Sequence, residues 1–465
     1  MAAKRRASLG RLTGFLEAAL HAGARNAVLW RSGLWSGRHA SALRRFEAAS
    51  PEEKRRRSLA LLRHVVFRAY HTVPYYKRRF DEAGVNPRDL RSAEDLLRFP
   101  LLAKRDVVEH ASELVATGRD LLGATWDATG GSTGEPLRFL RSRRAWALGF
   151  ANERRVWRWY GVHSGARQAY IWGSDRDVPP DQAHDNWRAR LLGVCRLNAF
   201  WIDDARSRRF AEILDRFQPE VIYGYAAALA RFATWLQSSR YELSIQPRAI
   251  RATAEVLLPE HRALVEEHLR GPVYDFYGSR EVGPIASESP ARKGLHVFSD
   301  VTHVEILRAD GTPCEPGEVG EVVVTKLHEF AMPFVRYRIG DRAAWAPRMV
   351  DPLGFPRITA IEGRMGDFVR TVDGREIHGE FFTHLFYGVP GVVRFQVQQP
   401  RPDRLLVLVQ TSGSTSGSEL ERIRSKMAAH FGPDDPESVE LKCVDVIHPG
   451  ASGKHRFVLP YATER

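Results

Sequence analysis

Ala128–Phe139 reads ATGGSTGEPLRF, with Thr129, Gly130, Gly131, Ser132, Thr133 and Gly134 in unbroken succession. Glycines let the backbone turn tightly and expose N–H groups, and hydroxyls add donors without bulk, so the segment suits phosphate oxygens. No Lys-Ser/Thr pair follows it, so it is not a Walker A loop, and Glu135 stands where a lysine would be expected. A plain polar loop could carry the same residues. Further along, VYDFYGSRE ends a β-rich run in Tyr277-Gly278 and places Glu281 three residues on. An aromatic ring at a strand end can stack on a planar base, and a carboxylate there can hold a hard cation such as Mg²⁺. MPFVRYRIGD reads as a strand closed by Gly340-Asp341, whose short carboxylate could accept from two ribose hydroxyls; a β-turn aspartate would read the same. Gly363-Arg364 precedes a change of texture. GASGK, residues 450–454, ends in one of only nine lysines, a compact charge on a loop able to reach a distant site or simply to face water.

These residues need elements to hold them. From residue 120 to about 360, β-rich runs such as RQAYIWG, EVIYGY, PVYDFYG and GEVVVTKL alternate with amphipathic segments such as RRFAEILDRF and EHRALVEEHL. That alternation argues for layered α/β structure around a largely parallel sheet. Pro51 to Phe80 reads as one helix with a basic face. After GRMGDFVRTVDGREI the pattern becomes a hairpin over 391–410, a polar turn TSGSTSGSE, a helix ELERIRSKMAAHF and a strand ELKCVDVI, which suits a separate α+β domain. The expected division is a basic helical arm over 1–64, a nucleotide- and acyl-binding α/β domain over 65–363 and a small mobile α+β domain over 364–465. Glycines at 363 and 366 would permit rotation between the last two.

Singly these features are modest, but their order along the chain resembles the adenylate-forming superfamily of acyl-CoA synthetases and amino-acid-activating domains. The segments YHTVPYYKRRF, FPLLAKRD, AMPFVRYRIGD and DGREIHGEFF, with the spelling Tyr-Gly-Ser-x-Glu, make it similar to the phenylacetate–coenzyme A ligase and CapK capsule-biosynthesis branch over about residues 65–460. The resemblance implies an AMP-forming ligase. A carboxylic acid attacks the α-phosphate of ATP, pyrophosphate leaves, and a thiol such as coenzyme A or an amine then displaces AMP. It assigns Thr129–Gly134 to the phosphates, Tyr277 and Gly278 to the adenine or acyl carbonyl region, Glu281 to Mg²⁺, Glu255 to a segment flanking adenine, and Asp341 with Arg364 to the ribose. Lys454 would neutralise the two anions as they meet, and Gly366-Asp367 would be the hinge. Tyr223, Gly224, Tyr225 and Phe276, with the Trp157–Tyr160 region, would wall an acyl pocket for an aryl or medium-sized apolar acid. Gly366 departs from the family's frequent Asp. Ser289 stands where some relatives carry a metal-binding Cys near His296, so no structural zinc is expected.

Composition narrows the alternatives. The chain has 465 residues, 43% hydrophobic and 27% charged, ordinary values for a globular protein of two or three domains. Arginines interrupt every long apolar run, so no membrane span is expected. Three scattered cysteines suit neither a disulfide framework nor a zinc site and point to a reducing, cytoplasmic setting. The net charge is +13, but residues 1–70 hold 15 Lys/Arg against 4 Asp/Glu, which leaves the rest at about +2. A nucleic-acid-binding protein is therefore disfavoured. A catalytically silent scaffold is the other alternative, and the retention of Thr129–Gly134, Glu281, Asp341 and Lys454 argues against it. Within the arm, Leu9, Leu12, Phe15, Leu16 and Leu20 recur at helical spacing opposite Arg. The helix could rest on an anionic membrane through Trp30 and Trp35, or pack on the body as a solvated arm; the second is the reading taken.

Overall fold

In the computed structural model the described residues are 2–32, 34, 36–128, 137–172, 191–198, 204–350, 353–364, 368–371, 376–378, 382, 385–386, 389–412, 415–432, 435–448, 457–459 and 461. The described residues form two compact units, one of residues up to 128 with 137–362 and one from 363 onward. The first is built on an eleven-stranded sheet. Its order is Thr302–Leu307, Val319–Lys326, Tyr337–Val350, Pro356–Arg364, Leu295–Val297, Gly283–Glu288, Val273–Ser279, Ala249–Thr253, Val221–Tyr225, Gln168–Trp172 and Val194–Asn198. The last five of these run parallel to one another. The strands on the other side pair antiparallel wherever they meet Val273–Ser279, Gly283–Glu288 and Leu295–Val297 or Thr302–Leu307 and Val319–Lys326. The sheet is therefore mixed rather than largely parallel, because the GPIASE, LHV and THVEIL runs follow short turns instead of crossover helices. Val273–Ser279 is the strand where one mode gives way to the other.

Helices Asp204–Phe217, Ala226–Ser239 and Pro259–Leu269 cover the parallel half, and their apolar faces join one buried cluster around Phe210, Phe232, Ile222 and Ile250. The expected single helix from Pro51 to Phe80 is two, Pro51–Thr72 and Pro74–Glu82. Proline disfavours a helical predecessor, so Val73 turns extended (φ −121°, ψ 112°) and Pro74 starts afresh. The second unit has a four-stranded sheet in the order Val439–Val444, Arg404–Thr411, Val392–Arg401, Val458–Leu459, with the helix Gly417–Phe431. Its own core gathers Phe395, Val407, Ile423, Met427 and Phe431. Among the described residues no helix is long and apolar enough to cross a membrane.

Candidate active site

Two β-strands bracket the glycine-hydroxyl segment. Thr125–Ala128 and Arg138–Arg141 pair antiparallel, with Ala128 opposite Arg138, so the residues on either side of 129–136 are held together. Thr129, Gly130, Gly131, Ser132, Thr133 and Gly134 themselves lie outside the described residues. Asp127 of the first strand and Arg141 of the second form an ion pair at 3.0 Å. Asp127 also takes Arg280 at 3.1 Å, and Arg141 donates to the Arg280 carbonyl. The turn carrying Glu281 is thus tied to both strands that flank the proposed phosphate segment.

That turn joins Val273–Ser279 to Gly283–Glu288, and the Val282 N–H donates to Ser279 Oγ at 3.1 Å. Gly278 cannot be exchanged freely, since a Cβ there would stand 2.7 Å from the Gly283 carbonyl oxygen. The register also slips between Tyr277 and Gly278, a bulge that re-aims the strand end. Lys326, 7% exposed, donates to the Glu281 carbonyl at 3.1 Å and lies 3.6 Å from Glu329. Burial pushes the Lys326 ammonium down to about 8, opposed by Glu329 and reinforced by Arg141. Glu329 accepts the N–H groups of Ser142 at 3.0 Å and Ala331 at 3.1 Å, which suits a carboxylate 1% exposed.

Asp341 does not close a strand as expected; it lies inside Tyr337–Val350. Arg338 pairs with Val323 and Arg342 with Glu321, so Ile339, Gly340 and Asp341 together face the single residue Val322. Gly340 takes φ +87°, which glycine alone tolerates cheaply, and the resulting bulge sets the position of Asp341. The Tyr277 hydroxyl donates to Asp341 Oδ2 at 2.7 Å, and Tyr337, four residues before Asp341, donates to Glu281 Oε1 at 3.4 Å. Two motifs 64 residues apart therefore meet twice.

The segments that carried the family resemblance brace this strand. Tyr76, from VPYYKRRF, donates to the Pro333 carbonyl at 2.8 Å and accepts the Val335 N–H at 2.9 Å. Burial holds its phenol well above its ordinary value. Leu102, from FPLLAKRD, bridges to Tyr337, with its N–H on the Arg336 carbonyl and its carbonyl taking the Arg338 N–H, both at 2.9 Å. Arg336 closes the brace on Glu305 at 2.8 Å and on the Phe99 carbonyl at 2.6 Å.

Tyr223, Gly224 and Tyr225 lie on Val221–Tyr225, two strands away from Phe276. Residue 251, unremarked in the sequence, joins them. The Arg251 guanidinium sits 3.9 Å from the Tyr223 ring centre, 4.5 Å from Phe276 and 4.5 Å from Trp157, and reaches Glu153 at 3.2 Å. The space between these rings holds a cation rather than an open apolar slot, an arrangement that exploits the negative face of each ring. The signal was present as a lone Arg within the apolar run AIRAT. Trp172 leans on Tyr223 and Tyr225, at 5.0 and 4.7 Å. Glu255 accepts the Ala227 N–H at 2.8 Å, a carboxylate at a helix N-terminus, after Ala254 at φ +71°. Nearby, a cavity of about 210 Å³ opens between the helix Arg143–Trp159 and the Glu281 hairpin, lined by Trp146, Phe150, Glu153, Pro284, Lys326 and His328 among others. Burial pushes His328 down to about 4, so it faces this space uncharged.

Gly366, Asp367 and Lys454 lie outside the described residues, as does the side chain of Arg364. The Ser289 hydroxyl is 2.9 Å from His296 Nε2, a hydrogen bond between two buried groups.

Residues 369–460 match the family model of the CapK C-terminal domain. Protein CapK of Staphylococcus aureus is 25% identical over 378 residues, 78% of this chain and 79% of that protein. A phenylacetate-coenzyme A ligase of Thermus thermophilus is 30% identical over 288 residues, 60% of this chain and 63% of its own length. Among solved structures, 2-hydroxyisobutyryl-CoA ligase in the postadenylation state with 2-HIB-AMP superposes with a TM-score of 0.70 at 20% identity, covering 90% of this chain and 91% of that one. That likeness is one of fold.

Proposed function

We propose, for this member of the adenylate-forming family of CapK and the phenylacetate-coenzyme A ligases, that the chain activates a carboxylic acid with ATP as an acyl-adenylate, releases pyrophosphate and passes the acyl group to coenzyme A. One observation carries the reading: the Tyr277–Asp341 hydrogen bond joins the Tyr-Gly-x-x-Glu turn to the Gly-Asp bulge. Asp341, with Arg364, would take the ribose hydroxyls, and Tyr277 and Gly278 would border the adenine or acyl carbonyl. Glu255 would flank the base from the helix end where it sits. Thr129–Gly134 would hold the phosphates between the strands that bracket them.

Glu281 suits a hard cation. It is a carboxylate on a turn fixed by Lys326 and Arg141, and Mg²⁺ commonly takes one or two protein carboxylates beside phosphate oxygens. When bound, Mg²⁺ would draw charge from the phosphates. Lys454 would stand between carboxylate and α-phosphate, and residues 364–465 would turn about Gly366-Asp367 between the two half-reactions. Gly224 and Tyr225 would border the acyl group, whereas the Tyr223 and Phe276 rings are closed on Arg251. The phenylacetate-coenzyme A ligase relatives favour a thiol acceptor over an amine.

Isotope exchange between pyrophosphate and ATP across a panel of aryl and aliphatic acids tests this. Exchange is expected to require both acid and Mg²⁺ and to fall about 10²-fold in Lys454→Ala. No exchange with any acid would leave a fold without the chemistry. Loss of free thiol on adding coenzyme A, against amide formation with amines, identifies the acceptor.

A further inference from the structure

The long helix Ala2–Arg31 is mounted with its polar side inward. Arg25 donates to the carbonyls of Leu192 at 2.6 Å, Ala166 at 2.8 Å and Gly193 at 2.9 Å, and His21 Nδ1 lies 3.3 Å from the Gly165 carbonyl. Arg154 donates to Asn26 at 2.6 Å, and Arg167 reaches Glu17 at 3.4 Å. The seat is close: a Cβ at Gly165 would collide with the Ala18 carbonyl, and one at Gly193 with the His21 ring. Helices on soluble proteins ordinarily turn their apolar stripe to the core. Here Leu16, Leu20 and Trp30 are 60%, 57% and 72% exposed, and Ala19 and Ala27 are exposed with them. Their spacing of i, i+3, i+4, i+11 and i+14 puts them on one face, about 21 Å long at 1.5 Å per residue.

The geometry points to this face as a seat for the surface of an anionic lipid bilayer. Besides Arg25, which is bound inward in the seat, the helix sequence carries Lys4, Arg5, Arg6, Arg11 and Arg31 against one acid, Glu17, and Glu17 is engaged by Arg167. Apolar residues on one face and basic residues at the ends suit an interfacial helix lying in the headgroup plane. A second copy of the chain is the poorer occupant, because antiparallel pairing of two such helices would bring Arg31 of each against the basic start of the other. Trp30 would lie at headgroup depth, the usual level for its ring.

Flotation of the full-length protein tests the proposal. It uses vesicles of equal parts phosphatidylglycerol and phosphatidylcholine, with pure phosphatidylcholine alongside. Binding is expected to the anionic vesicles only and to weaken as salt rises. Leu16→Glu with Trp30→Glu should lower it by roughly ten-fold or more, as should Arg5→Glu with Arg6→Glu, which leaves the apolar face intact. Unchanged circular dichroism and melting of both variants would show that the fold survives. Absence of binding by the wild type at low salt overturns the proposal, as does equal binding to both vesicle types. A concentration-dependent dimer abolished by Leu20→Glu, with no vesicle binding, would assign the face to a second copy instead.

Discussion

At the scale of single residues, the Tyr277 hydroxyl is the most informative group in the proposed nucleotide site. Its 2.7 Å bond to Asp341 orients the carboxylate proposed to meet ribose. A hydrogen bond to a charged acceptor contributes about 1.5–3 kcal/mol, so Tyr277→Phe should raise the KM for ATP by roughly ten-fold while the protein melts as before. An unchanged KM would remove Tyr277 from the site. Lys326 acts one step back, through the Glu281 carbonyl. Lys326→Met should raise the Mg²⁺ concentration needed for half-maximal exchange, with a larger loss of rate at low Mg²⁺ than at saturation. The sequence made Tyr277, Glu281 and Asp341 legible because each sits in a short motif with its own spacing. Lys326, Arg141 and Asp127 were not legible, since they act through backbone carbonyls and each other, and such partners have no fixed spacing. Arg251 was legible in principle, as a charge inside an apolar strand, but only the fold shows that three rings enclose it.

Among the elements, the hairpin Val273–Glu288 has the least room for change. Gly278→Ala places a methyl against the Gly283 carbonyl and should destabilise the protein by about 1–3 kcal/mol, seen as a lower denaturant midpoint. The same strand carries a titrating group. Burial, reinforced by Glu288, raises the Asp275 carboxyl to about 7. A carboxyl raised on folding favours the folded state while protonated, so this contribution is complete below its ordinary value of 3.8 and is lost as pH rises through about 7. Asp275→Asn should therefore gain melting temperature over the wild type between pH 4 and pH 8. Parallel curves for the two proteins over that range would show that Asp275 carries no such burden. Strand and helix positions were readable from alternation and from apolar spacing, and the bulge at Asp341 was not. Gly340 marked a turn in the sequence, but only pairing with Val319–Lys326 shows a strand that continues past it.

For the whole molecule, the second unit has its own sheet, helix and buried cluster. A fragment of residues 364–465 is expected to unfold in one cooperative transition by circular dichroism; a gradual, non-cooperative melt would make that unit a dependent lobe. The change of texture near residue 363 was visible in the sequence. The mixed sheet was not, because a strand's own residues do not say which neighbour it will meet. The pairing of Leu102 with Tyr337 has a further bearing on how the protein comes into being. During synthesis Tyr76 and Leu102 leave the ribosome more than two hundred residues ahead of the strand they are to hold, an interval on the order of tens of seconds at ordinary elongation rates. Throughout that wait the nascent N-terminal third carries apolar surface with nothing yet made to cover it, and it is there that a chaperone would be needed most.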